Sequence, residues 1–145
     1  MSQKINTNEF LKNVRIGLWR IEVEEGKLPR FYADEVMDEL LGITEEITPE
    51  ERFAFHRRCV HPDDMEMFLE YSDKLTETQT EIVYRYIHPI SGEMFVRCAG
   101  IRDNSVTSGI SIIGTHQDIS ETIRVEKEKE AERRLADLNN ELRQE

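Results

Sequence analysis

Positive charge is scarce in this chain. Its 145 residues include 19 Lys and Arg against 30 Asp and Glu, which gives a formal net charge of −11. Nucleic-acid phosphates and anionic membrane surfaces both attract clustered Lys and Arg, so this balance argues against either as a partner. No apolar run approaches the roughly 20 residues that span a bilayer, and the first ten residues lack the apolar stretch of a secretory signal. We therefore expect a cytoplasmic protein with no membrane insertion.

Cysteine and glycine are also sparse, and the motifs of common enzyme sites are missing. Cys59 and Cys98 form neither a disulfide framework nor a paired metal motif. His56, Cys59 and His61 place three candidate ligands within six residues, but a structural zinc needs four, and two intervening arginines would repel a cation. There is no G-x-S-x-G elbow and no glycine-rich phosphate loop. The sequence therefore predicts no metal site and no catalytic centre, and we expect this chain not to be an enzyme.

The first half of the chain carries short helix and strand signals in turn. Asn6, Asp34 and Thr48 each precede an apolar or acidic stretch in the manner of a helix cap. Alternation of apolar and charged residues from Leu18 predicts a half-buried strand with Trp19 inside. The predicted elements are, in order, a helix over 5–14, strands from 18 and over 30–33, and helices over 36–41, 49–59 and from 62 onward. Asp63 and Asp64 are placed at the positive end of the dipole of the last helix. The residues predicted on the inner face of that helix are Met65, Phe68, Leu69, Ser72 and Leu75.

The next third is typical of an antiparallel meander. Segments 81–88, 93–102 and 110–117 are rich in β-branched and aromatic residues and are separated by glycine-containing turns. Arg85 and Arg97 should face solvent, which sets the orientation of every second residue. The residues predicted to face inward are then Ile82, Tyr84, Tyr86, Met94, Val96 and Cys98.

A charged tail follows, with 14 charged residues among the last 26. Ala131, Leu135, Leu138 and Leu142 follow one another at intervals of 4, 3 and 4, which is the spacing of a heptad seam. This stripe predicts a helix that pairs with the same helix of a second copy in a homodimer. Because the pattern reaches the last residues without a capping signal, we expect the native protein to continue beyond it.

In this order, the elements resemble a PAS domain of the subclass with a PAC-type C-terminal half. The resemblance implies an α+β fold, in which a five-stranded antiparallel sheet carries short flanking helices and a C-terminal exit helix. It divides the chain into an N-terminal amphipathic helix (1–16), a PAS sensor domain (17–120) and the start of a coiled-coil signalling helix (121–145). The residues that carry the resemblance are Gly17-Leu18-Trp19, Asp34 with Leu41-Gly42, His61-Pro62-Asp63-Asp64, Tyr84-Arg85, Gly92, Gly100, Gly114 and Asp118-Ile119-Ser120. The last triplet resembles the Asp-Ile-Thr that closes such domains. The chain departs from the subclass at Phe95, where a Trp is common.

The resemblance implies a small cavity on the concave face of the sheet. His116 matches the position that faces the cofactor in related light sensors, and it is the only basic group that we place inside. It is either a neutral histidine bonded to a neighbour, the reading we favour, or a proton-sensitive switch. An apolar residue on an inner strand face is more often ordinary core than a ligand contact. The residues expected to line the cavity are Trp19, Ile21, Tyr84, Tyr86, Val96, Cys98, Ile112 and His116.

The cofactor motifs of the family are missing. Around Cys59 the sequence lacks the Asn and Gln that flank the reactive cysteine of flavin-binding light sensors, and 63–75 contains no histidine of the kind that haem-binding relatives use. The sequence therefore favours neither flavin nor haem. The cofactor is unknown, and an unidentified small-molecule ligand, or none, remains.

The resemblance implies a sensory module that passes a signal through Asp118 and Ile119 into the exit helix. The output domain would be covalently attached, and the tail resembles the helix that precedes a histidine kinase in two-component systems. Alternatives are a diguanylate cyclase, or a dimerisation scaffold whose cavity is filled by side chains. The dimer could form through the exit helix, the N-terminal helix or the outer sheet face that carries Phe95.

Overall fold

A five-stranded antiparallel sheet organises the chain. The computed structural model describes residues 4–144. The strands lie in the order β2-β1-β5-β4-β3, so the first and last strands of the chain are neighbours in the middle of the sheet. This confirms the α+β fold with a C-terminal helix. The helices are α1 Thr7–Asn13, α2 Glu35–Leu41, α3 Pro49–Cys59, α4 Met65–Lys74 and α5 Ser120–Arg143, and the strands are β1 Ile16–Val23, β2 Arg30–Ala33, β3 Thr80–His88, β4 Gly92–Arg102 and β5 Ile110–Asp118.

Local capping chemistry starts each of the first three helices as predicted, and a glycine ends the second. The side chain of Asn6 accepts a hydrogen bond from Glu9 N at 3.1 Å, and that of Thr48 accepts one from Glu51 N at 3.1 Å. Asp34 accepts from Met37 N at 2.8 Å, and Gly42 ends α2 in the left-handed region at φ 81°. These caps satisfy backbone N–H groups that a helix leaves without partners.

The segment before α4 corrects two predictions. Pro62–Asp64 forms one 3-10 turn, and α4 begins only at Met65. Phe68 and Leu75 are buried as predicted, but Tyr71 is buried in place of Leu69, which is 45 % exposed. Asp64 does not cap the helix: its carboxylate accepts hydrogen bonds from the backbone N and guanidinium of Arg85 at 2.7–3.0 Å. Those bonds lower the pKa of Asp64 below its ordinary value.

The core lies between one face of the sheet and helices α2, α3 and α4. Met37, Leu41 and Phe31 are almost fully buried there, beside Tyr84 and Tyr86 from β3. The opposite face of the sheet, called the outer face below, carries the alternate residues of each strand. Within residues 4–144, none of the helices combines the length and apolar character needed to cross a membrane.

Candidate functional site

The predicted cavity residues all lie on the concave side of the sheet, where they pack as one cluster. Seven of the eight are buried, and Ile21 is partly buried against the others. The sheet register explains the convergence, because Cys98 pairs with His116 across β4 and β5, and Tyr84 pairs with Val96 across β3 and β4. Their burial agrees with the alternation of each strand. Contact with a ligand stays a prediction.

Three hydrogen-bonding rings form a chain through this cluster. His56 Nε2 lies 2.8 Å from the hydroxyl oxygen of Tyr84, which is also hydrogen-bonded to Nε2 of His116. Each of the three side chains is 3 % exposed or less. A phenol has one proton, so Tyr84 donates to one imidazole and accepts from the N–H of the other. The arrangement therefore requires at least one neutral imidazole and links the tautomers of the two histidines.

Burial keeps the three hydrogen-bonded side chains of His56, Tyr84 and His116 uncharged at neutral pH. It lowers the pKa of His116 to about 3 and lowers the pKa of His56 well below its ordinary value. His116 and Arg57 add like-charge repulsion at His56. Burial also raises the pKa of the Tyr84 phenol well above its ordinary value. Of the two roles considered for His116, its burial and its bond to Tyr84 support the neutral histidine bonded to a neighbour over the proton-sensitive switch.

Two polar atoms at this cluster have no hydrogen-bond partner among residues 4–144. They are Trp19 Nε1 and His116 Nδ1, both buried. The rings of Trp19 and His116 meet edge to face with their centroids 6.2 Å apart. Buried polar groups are nearly always hydrogen-bonded, so these atoms are the part of the cluster best suited to hold a polar group of a ligand.

His56 corrects the prediction that His116 is the only basic group inside. Its ring stacks on those of Phe31 and Tyr86, with centroids 5.6 and 5.8 Å away. The inner face of α3 presents Arg52, His56 and Cys59 at intervals of 4 and 3. Because these residues are not the apolar ones by which a buried helix face is recognised, apolar periodicity does not reveal this face. The helical spacing of His56 from Arg52 and Cys59 is the only sign of its burial in the sequence.

The three candidate metal ligands do not converge. While His56 is in the core, His61 lies at the start of the 3-10 turn, where its Nδ1 accepts from Asp63 N at 3.1 Å. No group of three His, Cys, Asp or Glu side chains within the described part of the chain could hold a metal ion. Cys98 is buried, which raises the pKa of its thiol to about 12 and keeps it protonated.

The junction between β5 and α5 is tied to two other parts of the domain. Asp118 accepts a hydrogen bond from Ser120 N at 3.0 Å, and the guanidinium of Arg15, just before β1, lies 3.5 Å from its other oxygen. Ile119 is buried, and its N–H donates to Phe95 O at 3.0 Å. Phe95 N in turn donates to the hydroxyl of Ser120 at 2.9 Å. Asp118 therefore bonds both to the backbone at the start of α5 and to an arginine before β1.

Helix α5 leaves the sheet with its heptad stripe open to solvent. Ala131 and the three leucines Leu135, Leu138 and Leu142 are all exposed, each leucine by more than half. Glu130 and Arg134 form an ion pair at 3.2 Å along the same helix. Pairing of the leucine stripe with a second copy stays a prediction.

The fold and the buried cluster together define the class of the molecule. A sheet of this strand order, with short helices over its concave face and a helix leaving its last central strand, is the architecture of PAS-type domains, which are generally sensory. Residues 30–109, more than half of the chain, match the PAS fold family, and the chain belongs to that family. No curated protein sequence matches the chain.

Solved structures with the same fold come from several signalling proteins. A sensory box histidine kinase/response regulator from Burkholderia thailandensis aligns with a TM-score of 0.67 and 17% identity, over 91% of this chain and 98% of that one. The N-terminal domain of a diguanylate cyclase with a PAS/PAC sensor from Marinobacter aquaeolei aligns with a TM-score of 0.56 and 24% identity, over 74% and 97%. A light-oxygen-voltage protein from Rhodobacter sphaeroides aligns with a TM-score of 0.56 and 11% identity, over 79% and 69%. These likenesses show the fold.

Proposed function

We propose that this PAS domain is a regulatory module that passes a signal through α5 to a covalently attached output domain. The junction at Asp118-Ile119-Ser120 is the observation that carries the proposal. It joins β4, β5 and the segment before β1 to the first turn of α5 through four hydrogen bonds or ion pairs. A change of packing in the sheet therefore has a direct mechanical route to the helix.

The signal would arise at the His56–Tyr84–His116 chain. A ligand that bonds to Nδ1 of His116 selects the tautomer of that ring, and the shared Tyr84 hydroxyl then sets the tautomer of His56 on α3. The indole of Trp19, edge to face with the His116 ring, adds an N–H donor that has no partner among residues 4–144. The ligand chemistry that this arrangement fits is a small, largely apolar molecule with one hydrogen-bonding oxygen or nitrogen.

A sensor histidine kinase is the output domain that the tail favours. The segment 135–142 has the leucine and polar pattern of a long connecting helix before a kinase dimerisation domain. A cyclase domain often follows the closing triplet after a shorter link, and here 25 residues follow Ser120 without one. The two solved signalling structures described above belong to one protein of each kind, so the cyclase remains the alternative output.

A scaffold without a ligand is the competing function, because aromatic rings fill much of the concave side. The rings of His56, Phe68 and Tyr84 lie with centroids 4.9–6.1 Å apart. Native mass spectrometry of the purified chain separates the two functions. A dimer with a stoichiometric small molecule supports the sensor, and a dimer that stays unliganded after incubation with metabolite extracts supports the scaffold.

The junction gives a test of the proposed relay. The whole chain is fused through α5 to the dimerisation and catalytic domains of a histidine kinase, and autophosphorylation is measured. Asp118→Ala should change the autophosphorylation rate by about tenfold, the order of a coupling free energy of 1–3 kcal/mol. The melting temperature should fall by only a few degrees, because Asp118 is partly exposed.

Asp103→Ala is the matched control for this test. Asp103 pairs with Arg20 at 3.1 Å, in the loop that precedes β5 and at the opposite end of that strand from the junction. Its loss removes a comparable ion pair without touching the junction, so the rate should stay within about twofold. Equal rates for the parent fusion and the Asp118→Ala fusion would show that the junction carries no signal.

A further inference from the structure

The guanidinium of Arg57 is a cation held between α3 and α4 without an ion-pair partner among residues 4–144. Every other arginine in that range either forms an ion pair or is exposed to solvent. Arg57 does neither, because the residue is partly buried and its Nε atom is fully buried with no hydrogen-bond partner. Charged groups are rarely taken out of water unless they are paired, so this arginine has room for a counter-ion.

Two aromatic rings hold this guanidinium in place. Its Cζ atom lies over the ring of Phe53, one turn earlier in α3, at 4.8 Å from the centroid, and over the ring of Phe68 in α4 at 4.9 Å. Rings contact the faces of a guanidinium, whereas its N–H groups point outward along its edge. The stacking therefore fixes the plane of the Arg57 side chain without satisfying its hydrogen-bond donors.

The edge of the guanidinium keeps most of its hydrogen-bonding capacity. Each of its nitrogens can donate, yet within the described chain its one side-chain bond is from Nη2 to the hydroxyl of Ser72 at 3.4 Å, which is long for a hydrogen bond. Burial lowers the pKa of Arg57, and the charges of Tyr84 and Asp73 oppose this effect. Asp73 does so without forming an ion pair, so the donors on Nε and Nη1 stay available.

A planar anion is the partner that suits this edge. Arginine binds a carboxylate through two parallel N–H···O bonds that lie in the plane of the guanidinium. With aromatic rings against the faces, the approach that remains is along that plane, and a flat carboxylate can follow it. A tetrahedral phosphate would carry oxygens out of the plane toward the rings of Phe53 and Phe68. The geometry therefore favours a carboxylate over a phosphate.

The acidic composition of the chain makes this unpaired cation informative. With 30 Asp and Glu against 19 Lys and Arg, carboxylates are plentiful, and most of the arginines use one. None of the carboxylates in residues 4–144 forms an ion pair with Arg57, although an internal partner would satisfy it and close the site. A cation that is kept free in this way is suited to an anion that comes from outside the chain.

We propose that Arg57 anchors a site for a small organic carboxylate between α3 and α4. The two carboxylate oxygens accept hydrogen bonds from the edge of the guanidinium, and the rings of Phe53 and Phe68 flank the bound anion. Ser72 stays beside Nη2 and helps to fix the side chain. The site is on the helical side of the sheet and does not involve the outer face.

This site differs from the one suggested by the unpartnered atoms of Trp19 and His116, which lie on strands β1 and β5. Phe68 connects the two places, because its ring centroid is 5.3 Å from that of His56 and 4.9 Å from that of Tyr84. A bound carboxylate would therefore press on the buried hydrogen-bonded chain through this ring. Binding itself does not depend on the relay through α5, so the two proposals can fail separately.

Acetate is the probe for this site, with chloride at the same ionic strength as the reference. In proton–nitrogen correlation NMR of the whole chain, the Nε–Hε resonance of Arg57 should shift saturably with acetate, with half-saturation at about 10 mM. Urea denaturation in about 100 mM acetate should then show an unfolding equilibrium constant about tenfold smaller than in chloride.

Arg58→Gln is the matched control for this experiment. Arg58 is the next residue of α3 and also lies over an aromatic ring, 5.7 Å from the Phe55 centroid, but it is exposed to solvent. This variant should keep the stabilisation by acetate. Arg57→Gln should lose it, so that the unfolding equilibrium constants in acetate and in chloride agree within about twofold.

Three results would overturn the proposal. One is stabilisation by acetate that persists in Arg57→Gln. Another is a parent spectrum in which acetate moves the Nε–Hε resonances of Arg57 and Arg58 equally, since the anion would then act on any arginine. The third is an equal or larger shift of Arg57 with inorganic phosphate, which would contradict a site for a planar carboxylate. The spectra are recorded on the parent chain, so they decide the question even if a variant does not fold.

Discussion

Acidification from pH 7 to pH 5 is expected to lower the free energy of unfolding by about 4 kcal/mol. His56 and His116 are buried and neutral in the folded domain, and burial holds the pKa of His116 at about 3. In the unfolded chain a histidine titrates near 6.5, so the unfolded state binds more protons below that value. Each buried imidazole then contributes about 2 kcal/mol of the loss between these two pH values. Stability is complete above about pH 6.5 and falls steadily toward pH 3.

The measurement is urea unfolding at intervals of half a pH unit. His116→Leu should remove about half of the slope, because His56 stays buried and keeps its bond to Tyr84. His61→Gln is the control, because His61 lies outside the buried cluster. In this variant the free energy of unfolding should still fall steeply between pH 7 and pH 5. A flat profile between pH 7 and pH 5 in the parent chain would mean that the core imidazoles accept protons or are solvated. The carboxylates whose pKa is lowered in the folded domain, Glu24, Asp64, Asp103 and Glu121, add their losses mainly below about pH 4.5.

Gly114→Ala should cost about 3 kcal/mol, at the upper end of ordinary overpacking. Gly114 lies on the concave face of β5 directly under the indole of Trp19. A methyl group there would overlap Trp19 Cζ2 and the carbonyl oxygen of Ala99, and would lie 2.7 Å from Trp19 Cε2. Neither neighbour can withdraw easily, because Trp19 is buried and Ala99 is in the centre of β4. Chemical denaturation reports the change.

Gly26→Ala is the control for the general cost of replacing a glycine. Gly26 has φ 78° and none of residues 4–144 within 4 Å of a methyl group placed on it, so only backbone strain of about 1 kcal/mol is expected. Pairing Gly114→Ala with Trp19→Leu should recover part of the loss, since the smaller side chain removes one of the two overlaps. Equal costs at Gly114 and Gly26 would show that the indole moves aside freely.

Local chemistry made most of the fold predictable. Caps at Asn6, Asp34 and Thr48, and the left-handed Gly42, are decided by residues within one turn of each other, and the strands of the meander are decided by alternation and glycine turns. The caps and turns depend on sequence neighbours. The role of Asp118 at the junction was implied only by the resemblance of Asp118-Ile119-Ser120 to the triplet that closes PAS domains, and its contact with Arg15 spans 103 residues.

The parts that could not be predicted depend on distant partners. His56 meets Tyr84 across 28 residues, and the helical spacing of Arg52, His56 and Cys59 is the only local sign that it lies inside. Asp64 is drawn from the helix terminus by Arg85, 21 residues later. Tyr71 lies inside in place of Leu69, where its hydroxyl is within hydrogen-bond distance of the carbonyl oxygens of Thr80 and Cys98, and neither partner could be read from the helix itself.

We propose that α5 transmits the state of the domain by pairing with α5 of a second copy. An insertion series tests this pairing: residues are inserted between 143 and the kinase domains of the fusion described above, and autophosphorylation is measured. Two inserted residues turn the joint by about 200°, whereas seven restore the heptad register. We expect the output to be lost or inverted with two residues and to return to the parent rate with seven. An output that falls smoothly with length, or that does not change at all, would mean that the paired helices carry no signal.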